Sequence, residues 1–302
     1  MAVAASAACF TALEIRNGGL GANLYGILGA ARTLLSGRPP TALNLISYPA
    51  TTFPLYAPLA LLPDRVAQPL TQVGSLALLA AVLFAWGRSD GERPTAWLAA
   101  LLFSPPAIGL VWIDQVNTAV ALASLSAAVF LVNGPRRSVA GALGAVTLVL
   151  RPFNAIPALP ALGFLHRRSR RLAVAVLWCC IVTGAVALVA WRWDGSLIHD
   201  LLNTASRRPI SGVAGFARQL LGLPGLLGYL AALLAFEIWL ARALEPTHSR
   251  LDSAAILIAV SVLGVHLGGN YPAVYCFPAL ARLTARSPSP AWPVAFTVLY
   301  AA

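Results

Sequence analysis

The sequence has no lysine, one methionine, four cysteines and few charged residues of either sign. Only 10% of its 302 residues are charged, whereas 59% are hydrophobic. A water-soluble domain needs more polar side chains than this to cover its surface. This composition excludes an ordinary soluble protein and predicts an integral membrane protein.

Several chemical motifs are also missing. The cysteines lie within apolar segments and show neither a disulfide framework nor the spacing of a metal site. There is no phosphate-binding glycine-rich loop with lysine, no zinc-protease histidine pair and no nucleophile elbow. We therefore expect no cofactor and no metal ligands, and nucleotide-sugar chemistry in the cytoplasm has no support.

The net charge of +11 is carried entirely by arginine. These arginines are spread over short loops and form no single stripe with interleaved aromatic residues, as a nucleic-acid site would need. A basic bias in loops is what membrane topology itself requires. We expect membrane lipid, and no nucleic acid, as a partner.

Long apolar stretches predict the transmembrane helices. Five of them meet or approach the roughly 20 residues that cross a bilayer as a helix: Val66–Trp86, Thr95–Trp112, Val116–Val132, Arg171–Trp191 and Leu220–Ala241. The shorter stretches Val139–Leu150 and Phe153–Leu165 predict tilted or broken helices that line a cavity. The pattern predicts an all-α, polytopic bundle of about 10–11 transmembrane segments, forming a single domain over residues 1–302.

The ends of the sequence are unusual for such a protein. Few apolar residues precede Glu14, and the sequence stops inside the apolar segment Ala291–Ala302. Because a span needs roughly 20 residues, we expect that both ends are shortened.

Arginine-rich loops predict the orientation in the plasma membrane. They lie at Arg88–Arg93, Arg136–Arg137, Arg167–Arg171, Arg242–Arg250 and Arg282–Arg286. Placing all five in the cytoplasm gives a consistent alternation of spans, as the positive-inside rule demands. The polar turns between the other helix ends would then lie on the extracytoplasmic face, and that is where we expect the functional site.

Two polar turns on that face are the first candidates for a site. Asp114, Gln115 and Asn117 form a turn between apolar helices that is richer in hydrogen-bonding groups than a turn needs. An ordinary Asn/Asp turn beside an interfacial tryptophan is the competing interpretation. Arg151 precedes Pro152 between two short helices, where it could snorkel to the interface or bind a phosphate, and the two readings are equally favoured.

Two further segments complete the candidates. The first covers Asn23, Tyr25 and a proline-rich run from Tyr48 to Pro63, in which the prolines disfavour an ordinary helix. It reads either as a surface loop followed by a kinked helix or as a re-entrant cap over a substrate site. The second contains His266 and Asn270, where the histidine could cap a helix or contact a substrate.

These segments, in this order, resemble the polytopic glycosyltransferases of family 87 in the GT-C superfamily. That family comprises polyprenyl-phosphate-mannose-dependent α-mannosyltransferases of actinobacterial envelopes. The resemblance covers roughly residues 21–171 and rests on the following segments: Asn23 and Tyr25, Ala30–Gly37, Tyr48-Pro49, Asp114-Gln-Val-Asn117 and Arg151-Pro152.

The resemblance implies transfer of mannose, or a related sugar, from a polyprenyl-phosphate donor to a lipid-linked glycan outside the cytoplasm. Arg151 would hold the phosphate, and Gln115 and Asn117 would hold sugar hydroxyls or the loop. The remaining substrate contacts would come from the following residues: Tyr25, Tyr48, His266 and Asn270. Metals occur in the superfamily, so a divalent ion is left open.

This sequence departs from the family pattern at important positions. Asn23 stands where the family has the aspartate presumed to be the general base, and Asp114 replaces the glycine of a Gly-Gln pair. An amide cannot accept a proton as a carboxylate does. Either Glu14 or Asp114 is the base, or the protein is a degenerate relative that binds lipid-linked glycan or scaffolds envelope enzymes. A flippase of lipid-linked sugars is the third hypothesis, and it predicts an internal repeat that the sequence does not show.

Overall fold

The computed structural model of the protein describes residues 22–38, 52–91, 96–112, 114–167, 171–193, 212–265, 271–286 and 289–301. Within these ranges the chain forms helices and no β-strand, which confirms the predicted all-α class. The α-helices are α1 (Ala22–Leu35), α2 (Phe53–Ala60), α3 (Asp64–Gly87), α4 (Pro105–Trp112), α5 (Val116–Leu131), α6 (Arg137–Leu150), α7 (Pro152–Leu165), α8 (Leu172–Trp193), α9 (Gly212–Leu244), α10 (Arg250–Gly264), α11 (Phe277–Arg286) and α12 (Ala291–Ala301). Three 3₁₀ helices join them: Ser89–Gly91, Ala96–Phe103 and Tyr271–Cys276.

Three of the described helices are long and apolar enough to cross a membrane by themselves, namely α3, α8 and α9. Shorter apolar helices lie in α1, α5, α6 and α7. The predicted short segments are thus found as α6 and α7, which meet at Arg151. The chain is a polytopic α-helical membrane protein, while the predicted number of spans stays a prediction.

One predicted span is not a single helix. The stretch Thr95–Trp112 contains the 3₁₀ helix Ala96–Phe103, and α4 begins only at Pro105. Pro105 and Pro106 have no backbone N–H to continue a helix across Ser104. The break leaves α4 only eight residues long, ending at the polar turn that contains Asp114.

A second helix is interrupted in a similar way. Helix α9 contains Gly222 with φ 65° and ψ −149°, a conformation that only glycine adopts readily, followed by Pro224. The segment Leu220–Ala241, predicted as one span, therefore contains this break near its start.

The arginine-rich loops meet at one end of the helices, which we call the His166 end. Side-chain contacts join them as follows: Arg282 with Ser89 and Asp252, Arg167 with Glu245, and both Arg171 and His166 with Asn133. The opposite end, which we call the Arg151 end, contains the turn at Asp114 and the junction between α6 and α7. The grouping of loops that the sequence predicted is therefore present in the fold.

The proline-rich segment forms the short helix α2, with Pro58 inside it. Arg32 of α1 holds this region in place, since its guanidinium donates to the carbonyls of Ala60 and Leu62 at 2.9 Å each. The same group pairs with Asp64 at 2.6 Å. Helices α1, α2 and the start of α3 are therefore tied together beside the Arg151 end.

Candidate active site

The turn between α4 and α5 is a Schellman motif. The Gln115 N–H donates to the Leu110 carbonyl at 2.8 Å, and the Asp114 N–H donates to the Val111 carbonyl at 3.1 Å. This pairing places the residue after the helix in the left-handed region, and Asp114 has φ 52°. The turn thus projects the side chains on either side of it in different directions.

The end of α1 offers an internal comparison for this turn. Arg38 and Gly37 donate to the carbonyls of Thr33 and Leu34 at 3.0 and 2.9 Å, which is the same pattern, and Gly37 has φ 77°. Glycine suits this position, whereas a residue with a Cβ pays a penalty of about 1 kcal/mol there. Aspartate and asparagine tolerate this region better than other residues with a Cβ, so the turn can place a carboxylate at position 114.

Side chains from this turn reach two other helices. Asp114 is 1% exposed, and its Oδ2 accepts from the Thr71 hydroxyl of α3 at 3.0 Å. Asn117 is fully buried, and its Oδ1 accepts from the Tyr56 hydroxyl of α2. Buried polar groups are expected to be hydrogen-bonded in this way. The turn is consequently the centre of a polar cluster and not an isolated surface loop.

Arg151 occupies the junction between α6 and α7. Its N–H donates to the Thr147 carbonyl at 2.9 Å and its own carbonyl accepts from the Ala155 N–H at 2.9 Å, so it ends one helix and begins the next. Pro152 at the first position of α7 has no N–H that needs a partner, and this suits the start of a helix. The junction fixes the backbone from which the arginine side chain extends.

The Arg151 side chain is 2% exposed and is directed to the Asp114 turn. Its Nη2 donates to Gln115 Oε1 at 2.9 Å and also to the Thr118 hydroxyl. Both acceptors are neutral oxygens, and the two bonds fix the orientation of the guanidinium. A buried, oriented guanidinium is suited to binding a carboxylate or a phosphate.

Two further buried groups adjoin the cluster. Asn117 Nδ2 and the Tyr275 hydroxyl have no hydrogen-bond partner among the described residues. The Tyr275 hydroxyl also lies within electrostatic range of the Arg151 guanidinium. Leaving such donors unsatisfied is costly in a folded protein, so the cluster has hydrogen-bonding capacity left for a polar ligand.

The structure thus brings together four of the predicted site residues: Asp114, Gln115, Asn117 and Arg151. Tyr25 lies apart from Arg151: it is 42% exposed and its hydroxyl donates to Gln68 Oε1 at 2.6 Å, one helical turn from Thr71. Glu14, Tyr48, His266, Asn270 and the side chain of Asn23 lie outside the described residues.

Sequence reasoning missed several members of the cluster. Thr118, Tyr56 and Thr71 are ordinary residues of apolar helices in the sequence, and only the packing of α2, α3 and α5 brings them to the turn. Tyr275 comes from a distant 3₁₀ helix. Thr118 and Tyr56 had a usable signal, because Thr118 directly follows the polar turn and Tyr56 lies in the proline-rich run from Tyr48 to Pro63.

A metal centre is not visible in the described ranges. Those ranges contain no group of three or more His, Cys, Asp or Glu side chains placed to hold an ion.

Fold and site together define a polytopic α-helical membrane protein with a buried cationic polar cluster at one end of its helices. The sequence model of glycosyltransferase family 87 matches residues 46–268, which is 223 of the 302 residues. The chain belongs to glycosyltransferase family 87 and is a membrane glycosyltransferase. No curated protein and no solved structure matches it significantly.

The family match includes Tyr48, His266 and the whole cluster from Asp114 to Arg151. Glu14, Asn23, Tyr25 and Asn270 lie outside the matched range. The four predicted residues that the structure brings together are therefore within the matched range, whereas Tyr275 lies beyond it.

Proposed function

We propose that this glycosyltransferase transfers mannose, or a related sugar, from a polyprenyl-phosphate donor to a lipid-linked or envelope glycan. The reaction would take place at the extracytoplasmic face of the plasma membrane. The observation that carries the proposal is the buried Arg151 guanidinium, which the neutral oxygens of Gln115 and Thr118 hold in place.

A sugar phosphate donor explains why an arginine is needed. When the bond from the sugar C1 to the phosphate oxygen breaks, the electron pair stays on the phosphate, which gains negative charge. A fixed guanidinium in a water-poor site stabilises such developing charge far more than it would in water. Arg151 would act on this leaving phosphate, with the Tyr275 hydroxyl as a second donor.

The acceptor side of the reaction needs a base. The acceptor hydroxyl oxygen bonds to C1 while its proton moves to a carboxylate. Asp114 is the described carboxylate of the cluster; it is 1% exposed and accepts from the Thr71 hydroxyl. Gln115 and Asn117 would then orient sugar hydroxyls, and Tyr25 and Tyr48 would shape the cap above them.

The positions of the arginine-rich loops support the proposed face. They gather at the His166 end, and the positive-inside rule places such loops in the cytoplasm. The Arg151 end would then be extracytoplasmic, where lipid-linked donors and acceptors are available to it.

A transfer assay on purified protein in lipid tests the proposal. Labelled polyprenyl-phosphate-mannose is supplied with an extract of envelope glycolipids, and wild type is compared with Arg151→Ala, Arg151→Lys and Arg136→Ala. Arg136 is an exposed arginine at the other end and serves as the matched control.

We expect labelled glycolipid from wild type and from Arg136→Ala, and a loss of about 10³-fold in Arg151→Ala. Arg151→Lys should recover only part of the activity, because lysine lacks the planar fork. If wild type binds the donor but makes no product with any acceptor fraction, the proposal of sugar transfer is wrong. The protein is then better described as a glycan-binding relative, and Asn23 in place of the family's aspartate agrees with this.

A further inference from the structure

A second site is visible away from the polar cluster. Helices α5, α6, α7 and α8 enclose an apolar cavity of about 120 Å³. Its lining includes Gly144, Leu159, Gly163, His166, Leu172 and Val176. Apolar cavities of roughly 150 Å³ take up benzene-sized molecules, so this one has room for a segment of hydrocarbon chain.

The cavity belongs to the His166 end. Its lining on α6 reaches Gly144, about 10 Å along the helix from Arg151, and its lining on α7 ends at His166, about 22 Å from Arg151 at 1.5 Å per residue. Val176 lines the cavity and is 51% exposed on the outer face of α8, so the cavity adjoins the bilayer. A lipid acyl chain that enters the cavity would come from the bilayer leaflet beside the His166 end.

His166 provides one polar group in an otherwise apolar lining. It is 4% exposed, and its Nε2 has no hydrogen-bond partner among the described residues. The Asn133 amide nitrogen lies 3.2 Å from Nδ1, and since an amide N–H donates, Nδ1 accepts. In the neutral ring the proton is then on Nε2, which makes Nε2 an unsatisfied buried donor.

The ring is neutral at physiological pH. Burial, together with the charge of Arg250, lowers the pKa of the His166 imidazole to about 4. Nε2 can therefore donate to a neutral or anionic oxygen but adds no charge of its own.

Positive charge surrounds the histidine. Arg171 donates to the Asn133 carbonyl, so Asn133 links Arg171 to His166. Arg167 follows His166 directly, stacks on the Phe164 ring at 4.3 Å and pairs with Glu245 at 3.1 Å, while Arg250 is near enough to act on the imidazole. The guanidinium groups around the histidine therefore outnumber this carboxylate. An apolar cavity with a buried donor at one end and several guanidinium groups around it complements a lipid with an anionic headgroup.

We propose that this site binds one anionic phospholipid of the adjacent leaflet. A segment of its acyl chain fills the cavity, its phosphate or ester oxygen accepts from His166 Nε2, and its negative charge lies among Arg167, Arg171 and Arg250. The site is separate from the sugar-transfer site, and it stands or fails independently of the proposed reaction.

Two glycines provide a matched test. A Cβ added at Gly163, which lines the cavity, or at Gly184, which is exposed on α8, would have no heavy atom within 4 Å. Gly163→Leu therefore has room for its Cβ and extends a side chain into the cavity, while Gly184→Leu adds the same side chain to the exposed face. Thermal unfolding of both variants checks that the fold is kept.

The binding experiment is native mass spectrometry of delipidated protein titrated with phosphatidylglycerol, phosphatidylcholine or polyprenyl phosphate. We expect one phosphatidylglycerol to bind in preference to phosphatidylcholine. Gly163→Leu should weaken it about tenfold, which corresponds to excluding about two buried methylene groups, while Gly184→Leu has no effect. His166→Leu should weaken the binding of both phospholipids, because each has a phosphate or ester oxygen that can accept from Nε2, and should leave the preference that the arginines give.

Three results would overturn the inference. Equal binding of the two phospholipids to wild type would remove the charge argument. Unchanged phosphatidylglycerol binding in both Gly163→Leu and His166→Leu would show that the lipid lies elsewhere. If Gly163→Leu instead weakens polyprenyl phosphate alone, the cavity holds the donor's tail and not a phospholipid.

Discussion

Two buried arginines lie at opposite ends of the helices and have different partners. Arg282 faces a carboxylate, with its Nε 2.8 Å from Asp252 Oδ1 and side-chain exposures of 3% and 7%. Arg151 donates to the neutral oxygens of Gln115 and Thr118. The first arrangement neutralises a buried charge and joins helices, whereas the second aligns a cation that can also meet an anion.

Asp252, Ser249, Arg282 and Arg286 form a network of hydrogen bonds and ion pairs, which we call the Asp252 cluster. Ser249 caps α10, accepting from the Asp252 N–H at 3.2 Å and donating to its carboxylate at 2.6 Å. Arg286 also pairs with Asp252, and Arg282 donates to the Ser89 carbonyl at 3.0 Å. These bonds connect α10, α11 and the end of α3, so their loss should be felt in stability and not in transfer.

The largest effect on stability is expected when the ion pair between Arg282 and Asp252 is removed. Arg282→Ala leaves the buried Asp252 with less compensation, and removing one partner of such a pair costs about 3 kcal/mol. Thermal unfolding in detergent should show a clear drop in Tm, whereas Arg136→Ala changes little. The transfer activity per folded molecule should be unchanged. A loss of activity in Arg282→Ala without unfolding would contradict the assignment of Arg282 to stability and of Arg151 to substrate binding.

The second prediction concerns the base. Asp114→Asn keeps a residue that tolerates the left-handed region but cannot accept the proton, so transfer should fall by about 10²-fold. The Tm should change little. Full activity in this variant would assign the proton to another group, with Glu14 the next candidate.

The third prediction concerns the dependence of the protein's stability on pH, which His166 should control at the His166 end. The pKa of His166 is about 4 in the fold and near 6.5 in an unfolded chain. The unfolded state therefore binds more protons between these values, so stability is complete above about pH 6.5 and falls as the pH drops toward 4. The loss is at most about 3 kcal/mol.

Unfolding of the detergent-solubilised protein from pH 7.5 to 4 should reveal this slope, and His166→Gln should flatten it. An identical slope in His166→Gln would attribute the acid sensitivity to carboxylates elsewhere in the fold.

The smallest effect tests the turn itself. Asp114→Gly and Asp114→Ala both lose the bond to Thr71, but only alanine has a Cβ in the left-handed region. The glycine variant should be more stable by about 1 kcal/mol, although alanine is the more stabilising residue in a helix. Gly37→Ala should show a similar penalty, and equal Tm values for the two Asp114 variants would show that the turn relaxes.

Hydropathy and proline positions were enough to predict much of the fold. The ends of α3, α5 and α8 fall within two residues of the predicted spans, because crossing helices need long apolar runs. Thr95–Trp112 was wrong as a single span, since hydropathy does not register that Pro105 and Pro106 interrupt the backbone bonding.

The site was predicted only in part. Polar residues at predicted helix ends marked Gln115, Asn117 and Arg151, but their partners could not be read from the sequence. Thr118 binds Arg151, and Tyr275 lies within its electrostatic range, through packing over long sequence separations. The position of Thr118 after the polar turn was a signal, but Tyr275 had none. The left-handed conformation of Asp114 was also not predicted, because it depends on the hydrogen bonds of the turn.

The most direct test of the account is the affinity of polyprenyl phosphate, the leaving group, for protein in lipid nanodiscs. Wild type and Arg282→Lys should bind it equally, while Arg151→Ala binds it about 100-fold more weakly, in keeping with the loss of a charge-assisted contact. Equal affinity in wild type and Arg151→Ala would contradict the assignment of Arg151 as the phosphate ligand.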